Sequence, residues 1–374
     1  MTPFDFTPQA PDFRVRWDDI DQAFDWVRAL EACPQDPRHH AEGNVWIHTR
    51  MVLEALAALP SWRMLAPDER DIVFAAALLH DVAKPWTTRT EPDGSVTARG
   101  HSVKGAIEAR GLLWRMGVPF DAREQICGLI KYHQFPFFAL ERPDPSRLVI
   151  QMSQYLRCDW LALVAEADMR GRVCADQEKI LDAITLFHEL CAELGCADRP
   201  WPFASDLSRF HYLQGGGTDP RYEPFDDSSC EVVLMSGMPG AGKDSWVRQN
   251  LADWPVISLD ELRSELEVGP DEPQGAIVKE ARERARVLLR RRKSFVWNAT
   301  NVTRQIREQC ISLFVDYKAR VRIVYVESPA AALYQQNRDR AAAVPQQVID
   351  RLVAKWEVPD VTEAHQAQHY VRGR

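Results

Sequence analysis

Residues Glu231 to Ser245 read E-V-V-L-M-S-G-M-P-G-A-G-K-D-S. Val232 to Met235 form an apolar run of β type, a glycine-rich turn spans Gly237 to Gly242, and Lys243 opens a helix predicted to reach Asn250. Strand, glycine turn, lysine and helix in this order make a phosphate-binding loop, or P-loop. The glycines let backbone N–H groups approach phosphate oxygens, the helix N-terminus adds its positive dipole end, and Lys243 is a point charge for the β and γ phosphates. The expected ligand is an NTP, ATP or GTP, with Mg2+. Its contacts are Gly237, Gly240, Ala241, Gly242, Lys243, Asp244 and Ser245. One position departs from the pattern: Asp244 stands where a hydroxyl ligand of magnesium is usual, and Ser245 follows it, so the assignment between them is open.

Downstream of the loop, strands alternate with helices. Val256–Leu259, Phe295–Ala299 and Arg322–Val326 read as further strands, with helices near 275–292, 303–317, 330–340 and 345–356. That alternation predicts a parallel sheet covered on both faces. Asp260, just past the second of these strands, falls at the carboxyl edge of the sheet, where open α/β folds bind ligands. A carboxylate there accepts the proton of an attacking hydroxyl, and Arg263, one turn on, holds a phosphate of the acceptor.

Upstream, residues 199–229 break into Trp201-Pro202-Phe203, Gly215-Gly216-Gly217, Pro220 and Pro224, a linker rich in turn formers and aromatics. Before it, from Asp18 to about Cys196, nearly every segment has helical periodicity. Met51, Val52, Ala55, Leu56 and Leu59 share a helix face with His48; Ile72, Val73, Ala76 and Leu79 lead to His80 and Asp81, in a helix expected to stop at Pro85; Ile126 and Ile130 precede His133; Leu161 and Val164 precede Asp168. The fold expected is multidomain: an all-α bundle over 1–198, a linker over 199–229, and an α/β P-loop domain over 230–374.

The net charge of −8 argues against broad nucleic-acid coating, though not against a locally basic groove. Eight cysteines without a CxxC pair suggest neither a disulfide framework nor a thiolate zinc site. No apolar run is of membrane-spanning length and the acidic start lacks the marks of a signal peptide, so the expected location is the cytoplasm, without a membrane partner.

Buried carboxylates need partners, and here one adjoins a histidine on an apolar helix face while other such histidines occupy separate helices. One divalent cation, or a pair, satisfies them together. Imidazole and carboxylate without thiolate suit Mn, Ni, Co, Zn or Fe rather than calcium. A cation so held lowers the pKa of bound water and polarises a phosphoryl oxygen, which is phosphoester hydrolysis at neutral pH.

The order His48, His80-Asp81, His101, His133, Asp168 resembles the HD-domain phosphohydrolases. His40-Ala41-Glu42-Gly43-Asn44, Lys84 and Gly100-His101…Gly105-Ala106 are similar to the HD modules of bacterial tRNA nucleotidyltransferases, which hydrolyse 2′,3′-cyclic phosphates and 2′-phosphates. The resemblance spans about 40 to 172 and implies metal ligands at His48, His80, Asp81, His101, His133 and Asp168, with Asp159 the runner-up for the last. Lys84 is a candidate for the scissile phosphate, with Thr87, Thr88 and Arg89 behind it and His40 as an outlying support. In the second half, Asp260-x-x-Arg263 resembles the 5′-hydroxyl polynucleotide kinases, where these positions are general base and acceptor-phosphate ligand. Asn337 to Pro345 is similar to that family's arginine-bearing lid and places Arg338 and Arg340 on the transferring phosphoryl group. Phe295 to Asn301 resembles the family's third strand, except that Asn298 replaces its carboxylate.

The two halves together resemble bacterial bifunctional end-healing enzymes. The implied activity is metal-dependent removal of 2′,3′-cyclic phosphate and 2′(3′)-phosphate ends with NTP-dependent phosphorylation of 5′-OH ends, on RNA or DNA, a separate ligase sealing the break. The alternative is an HD nucleotidase fused to a small-molecule (nucleoside or metabolite) kinase.

Overall fold

The computed structural model describes residues 1–269, 272–339 and 344–372. The chain divides into two compact units, Met1–Trp201 and Pro202–Arg374. Each has its own apolar core: one drawn from Phe6 to Cys196, the other from Phe210 to Ala364.

The first unit is a helical bundle with one small hairpin, β1 (Arg89–Thr90) paired antiparallel to β2 (Val96–Thr97). Its site-bearing helices are Val45–Ala58, Pro67–Leu79, His101–Arg115, Phe120–Tyr132 and Cys158–Arg170. Asn44 caps the first, its side chain accepting from the Ile47 amide at 2.9 Å. The second differs from its expected course. It ends at Leu79, His80 to Ala83 make a turn, and Pro85 lies in the first turn of a new short helix, Lys84–Thr87. Proline is tolerated there because the first N–H groups of a helix have no partner to lose. The turn lets His80 and Asp81 both face inward, which one continuous helix would not allow at adjacent positions. Helix 101–115 comes close to helix 120–132 at Gly105, where a Cβ would stand 3.2 Å from the Ile130 Cγ2 and 3.6 Å from the His80 carbonyl oxygen.

The second unit carries a five-stranded sheet in the order β4-β5-β3-β6-β7: β3 Cys230–Ser236, β4 Val256–Ser258, β5 Phe295–Asn298, β6 Ala319–Glu327 and β7 Gln366–Val371. All its pairings are parallel, with Leu234 opposite Trp297 on one side and Ile323 on the other. Val232, Val233, Leu234 and Met235 are wholly buried, as a strand covered on both faces requires. β6 begins three residues earlier than expected, Ala319, Arg320 and Val321 pairing with Cys230, Glu231 and Val232, and Arg322 is satisfied across the sheet by the Glu231 carboxylate at 2.7 Å. β7 was not expected at all: Q-A-Q-H-Y-V has no apolar face, and it joins as an edge strand through backbone bonds to β6. Within the aromatic stretch after Trp201, the helix Asp206–Leu213 belongs to this unit, Phe210 stacking on His365 at 4.0 Å and Arg209 donating to the Val361 and His365 carbonyls.

Arg307 is fully buried and donates to both oxygens of Glu363 at 2.7 and 2.8 Å and to the carbonyls of Asn301 and Glu357. Burial raises the pKa of Glu363 against the pull of Arg307, so the pair is costly to desolvate but costlier to break. Glu363→Ala strands the guanidinium and is expected to destabilise this unit by about 3–5 kcal/mol, lowering its thermal midpoint by roughly 10 °C. Differential scanning calorimetry reads this directly.

Candidate active sites

In the first unit four imidazoles converge. Each has its Nδ1 against a backbone carbonyl: His48 on Gly171 at 3.2 Å, His80 on Ala77 at 2.7 Å, His101 on Ala98 at 2.7 Å and His133 on Ile130 at 2.8 Å. A carbonyl only accepts, so each Nδ1 carries the proton, and in the neutral ring each Nε2 presents a lone pair. Those Nε2 atoms face one another, His48 to His80 at 3.3 Å and His101 to His133 at 3.4 Å. Two lone pairs at such distances repel unless a cation lies between them.

The carboxylates complete the set. Asp168 Oδ1 is 3.1 Å from His48 Nε2, Asp81 Oδ2 is 3.1 Å from His80 Nε2, and Asp81 Oδ1 is 3.4 Å from His101 Nε2. Two clusters result, His48-His80-Asp168 and Asp81-His101-His133, every residue buried and the ligand atoms of each within 4.8 Å of one another. Asp81 is wholly buried and, apart from its ion pair with Lys84, neither of its oxygens accepts a hydrogen bond. Burial raises its pKa, yet His80 and Lys84 outweigh that and hold the carboxyl well below its usual range. An anionic, buried carboxylate held only by Lys84, beside four opposed lone pairs, fits one or two divalent cations. Ligand atoms about 2.1 Å from a shared ion lie about 3.0–3.4 Å apart, which is the spacing of the His48–His80, His48–Asp168 and His101–His133 pairs, while His80 and Asp168 stand 4.0 Å apart.

Of the two candidates for the last aspartate, the structure brings Asp168 into the cluster and places Asp159 in an ion pair with Arg157. Gly171 is what lets the end of the Asp168 helix reach His48: a Cβ there would come within 2.6 Å of the Val52 side chain and amide.

Lys84 is buried, its Nζ 2.7 Å from both Asp81 Oδ2 and the Gln35 amide oxygen. A cleft of about 320 Å³ opens beside it, lined also by His40, Arg99, His101, Gln134 and Arg172. Thr88 lines the same cleft, Thr87 bonds the Ala83 carbonyl, and Arg89 is exposed on the hairpin.

Two groups have contacts that their place in the sequence did not disclose. Arg172 grips both oxygens of Asp168 at 2.9 and 2.7 Å and lies over the Phe137 ring. Glu42 takes His40 Nδ1 at 2.8 Å, His48 Nδ1 at 3.0 Å and the Val173 amide at 2.9 Å. Burial raises its pKa, but the two histidine bonds prevail and keep it ionised. Burial pushes His40 down to about 4, with Lys84 adding to the effect and Glu42 opposing it. Glu42 thus fixes the tautomer and ring plane of His48. Glu42→Ala is expected to weaken Mn2+ binding about 10–100-fold, read as retained metal after dialysis against graded chelator.

In the second unit Gly237, Gly240 and Gly242 all have positive φ, as the loop demands. A Cβ on Gly237 would lie 2.3 Å from the Val326 carbonyl oxygen, and one on Gly242 2.5 Å from the Arg372 guanidinium, which brings a further cation beside the loop. Lys243 is buried and donates to the Gly237 and Met238 carbonyls at 2.9 and 3.0 Å. Ala241 is buried, its carbonyl accepting from Ser328 Oγ at 3.3 Å. Asp244 accepts from the Asn298 amide, whereas the Ser245 hydroxyl is engaged by Arg248 at 3.2 Å. Ser258 caps the helix Leu259–Glu265, so Asp260 is not spent on capping. Its carboxylate is exposed and pairs with Arg263 at 2.6 Å, while Arg263 also donates to Gln274 at 3.0 Å. Arg338 closes the helix Ala330–Arg338, donating to Gln335 at 2.5 Å; Arg340 lies outside the described residues.

Comparison with known proteins agrees with this division. Residues 45–157 match the model of the HD domain and residues 232–359 that of the AAA domain. The N-terminal part of the chain therefore carries an HD-type domain and the C-terminal part an AAA-type P-loop domain. Among similar proteins are the Multifunctional CCA protein of Actinobacillus pleuropneumoniae serotype 5b (strain L20), 32% identical over 150 residues, which are 38% of this chain and 34% of that protein. That of Thioalkalivibrio sulfidiphilus (strain HL-EbGR7) is 28% identical over 193 residues, 50% of this chain and 39% of that protein. The chain spans about a third of the length of these curated relatives. A solved candidate kinase from Chloroflexus aurantiacus j-10-fl aligns with a TM-score of 0.33 and 12% identity over 39% of this chain and 86% of that one. No helix among the described residues is long and apolar enough to cross a membrane.

Proposed function

We propose that this chain heals broken nucleic-acid ends, RNA foremost. The HD domain removes 2′,3′-cyclic and 2′(3′)-phosphate, the P-loop domain phosphorylates the 5′-hydroxyl from an NTP, and a separate ligase seals. The observation that carries this reading is the buried convergence of four imidazole lone pairs and two carboxylates beside Lys84 and a basic cleft, in one chain with a P-loop. A cation held by His48, His80, Asp81, His101, His133 and Asp168 would supply a hydroxide at neutral pH and polarise the phosphoryl oxygen. Lys84 and Arg172 offer positive charge at the mouth of that site for the phosphate's remaining oxygens. The CCA-protein relatives favour RNA as the polymer.

In the second domain Lys243 and the loop amides cradle the donor phosphates, Asp260 takes the proton of the 5′-hydroxyl, Arg263 holds the adjacent phosphate, and Arg338 with Arg340 balances charge on the phosphoryl group in transit. The exposed Asp260-Arg263 pair supports these roles: the two side chains already lie within one hydrogen bond of each other at the sheet's carboxyl edge. A small acceptor has no neighbouring phosphate for Arg263.

A short RNA with a 5′-hydroxyl and a 2′,3′-cyclic phosphate, incubated with γ-labelled ATP, Mg2+ and Mn2+, tests the reading. Label on the 5′ end and loss of the cyclic phosphate are the expected results. Turnover of free mononucleotides or nucleosides with both RNA ends untouched would replace it with the nucleotidase and small-molecule kinase alternative.

A further inference from the structure

The P-loop and its neighbouring strand depart from the common pattern at two places, and the structure puts those places in contact. Asp244 occupies the position of the usual hydroxyl residue; Asn298, at the carboxyl end of β5, occupies that of the usual strand carboxylate. They are 54 residues apart in sequence, and Asn298 Nδ2 lies 2.7 Å from Asp244 Oδ1.

The direction of that bond is fixed, because an ionised carboxylate only accepts and the atom facing it must be the amide nitrogen. The Asn298 carbonyl oxygen then points away from Asp244, and it is buried without a hydrogen-bond partner in a side chain only 8% exposed. A buried acceptor of this kind carries an unmet cost that a polar ligand or its hydration shell removes. An aspartate at 298 would instead set two anionic oxygens at hydrogen-bond distance, which disfavours the charged state of both. Asp244 and a strand carboxylate therefore oppose each other wherever no cation lies between them, whereas Asp244 and an amide are complementary.

Charge is conserved by the exchange. A hydroxyl on the loop with a carboxylate on the strand carries one negative charge; a carboxylate on the loop with an amide on the strand carries the same. Mg2+ bound to a nucleotide uses one or two carboxylates, phosphate oxygens and retained waters, so one protein carboxylate suffices. Ser245, the other candidate, has its hydroxyl engaged by Arg248.

We propose that the carboxylate serving the nucleotide's Mg2+ in this domain is Asp244, on the first turn of the P-loop helix, held in place by Asn298, the two positions having exchanged the roles of hydroxyl and strand carboxylate. This rests on the reading of the domain as a phosphoryl-transfer enzyme.

The test is the affinity of a fluorescent ATP analogue for the full-length protein, titrated with excess EDTA and with excess Mg2+. Wild type is expected to bind more tightly with Mg2+. Asp244→Asn should lose at least about tenfold of that gain, while binding in EDTA is unchanged or tighter because a charge repelling the phosphates has gone. A variant that merely misfolds would lose both. The double variant Asp244→Ser, Asn298→Asp rebuilds the common arrangement and should regain Mg2+ dependence that Asp244→Ser alone lacks. A full Mg2+ response in Asp244→Asn, or a double variant no better than Asp244→Ser, would overturn the exchange. Wild-type protein that binds no nucleotide under either condition would remove the phosphoryl-transfer reading beneath it.

Discussion

Asp81→Asn is expected to abolish hydrolysis of a 2′,3′-cyclic phosphate and to strip the first domain of metal, while 5′-phosphorylation continues at the wild-type rate. Asp81 faces both clusters, Oδ2 toward His80 and Oδ1 toward His101, so its loss touches every cation the site holds. An amide there presents an N–H₂ group to one of the Nε2 atoms. The ring accepts that bond, and its lone pair is no longer available to a cation. Changes to residues that only orient a ligand cost about 10–100-fold in metal affinity or activity, so losing the shared ligand should exceed the upper end of that range. Metal content by mass spectrometry and end analysis of a cyclic-phosphate RNA are the two readouts. Full metal content with the hydrolysis intact would dismiss Asp81 as a ligand and the constellation as a catalytic centre.

The same aspartate shows how much of the site is legible in the sequence. Its helix was legible because Ile72, Val73, Ala76 and Leu79 recur at helical spacing, and a carboxylate continuing such a face demands a partner. The course of the chain after Leu79 was not legible. Pro85 reads as a stop, whereas the turn comes five residues earlier and Pro85 opens the next helical segment. The resemblance to HD domains ranks Asp168 ahead of Asp159, and the structure sets only Asp168 among the histidines. Glu42 lies in an irregular stretch with no periodicity to assign its direction; the Ala41 amide bonding the Val173 carbonyl at 3.0 Å, across 132 residues of chain, brings it to His48. Asp244 and Asn298 each read as a departure when taken singly, because the contact between the P-loop helix and the end of β5 is a tertiary fact. β7 fails the strand pattern because edge strands need no apolar face.

Lys243→Ala should remove 5′-phosphorylation without changing the HD activity. Lys243 is held by the Gly237 and Met238 carbonyls, two neutral acceptors within its own loop, and phosphate oxygens compete with them favourably because bonds to an anion are roughly twice as strong. Deleting one donor that stabilises developing charge typically costs about 10²–10³-fold in kcat. Lysine is also a full charge acting where burial weakens screening, so the loss should reach at least the upper end of that range. The effect should appear mainly in kcat, with a smaller weakening of ATP binding, since the loop amides and the helix N-terminus continue to hold the phosphates. The first domain should be indifferent, because its core is assembled from residues of Met1–Trp201 alone. Lys243→Arg separates charge from shape. Its planar fork does not fit a pocket shaped by two carbonyls around a point charge, so it should rescue binding more than turnover. A Lys243→Ala protein that still phosphorylates the RNA at near wild-type rate would place the chemistry outside the P-loop.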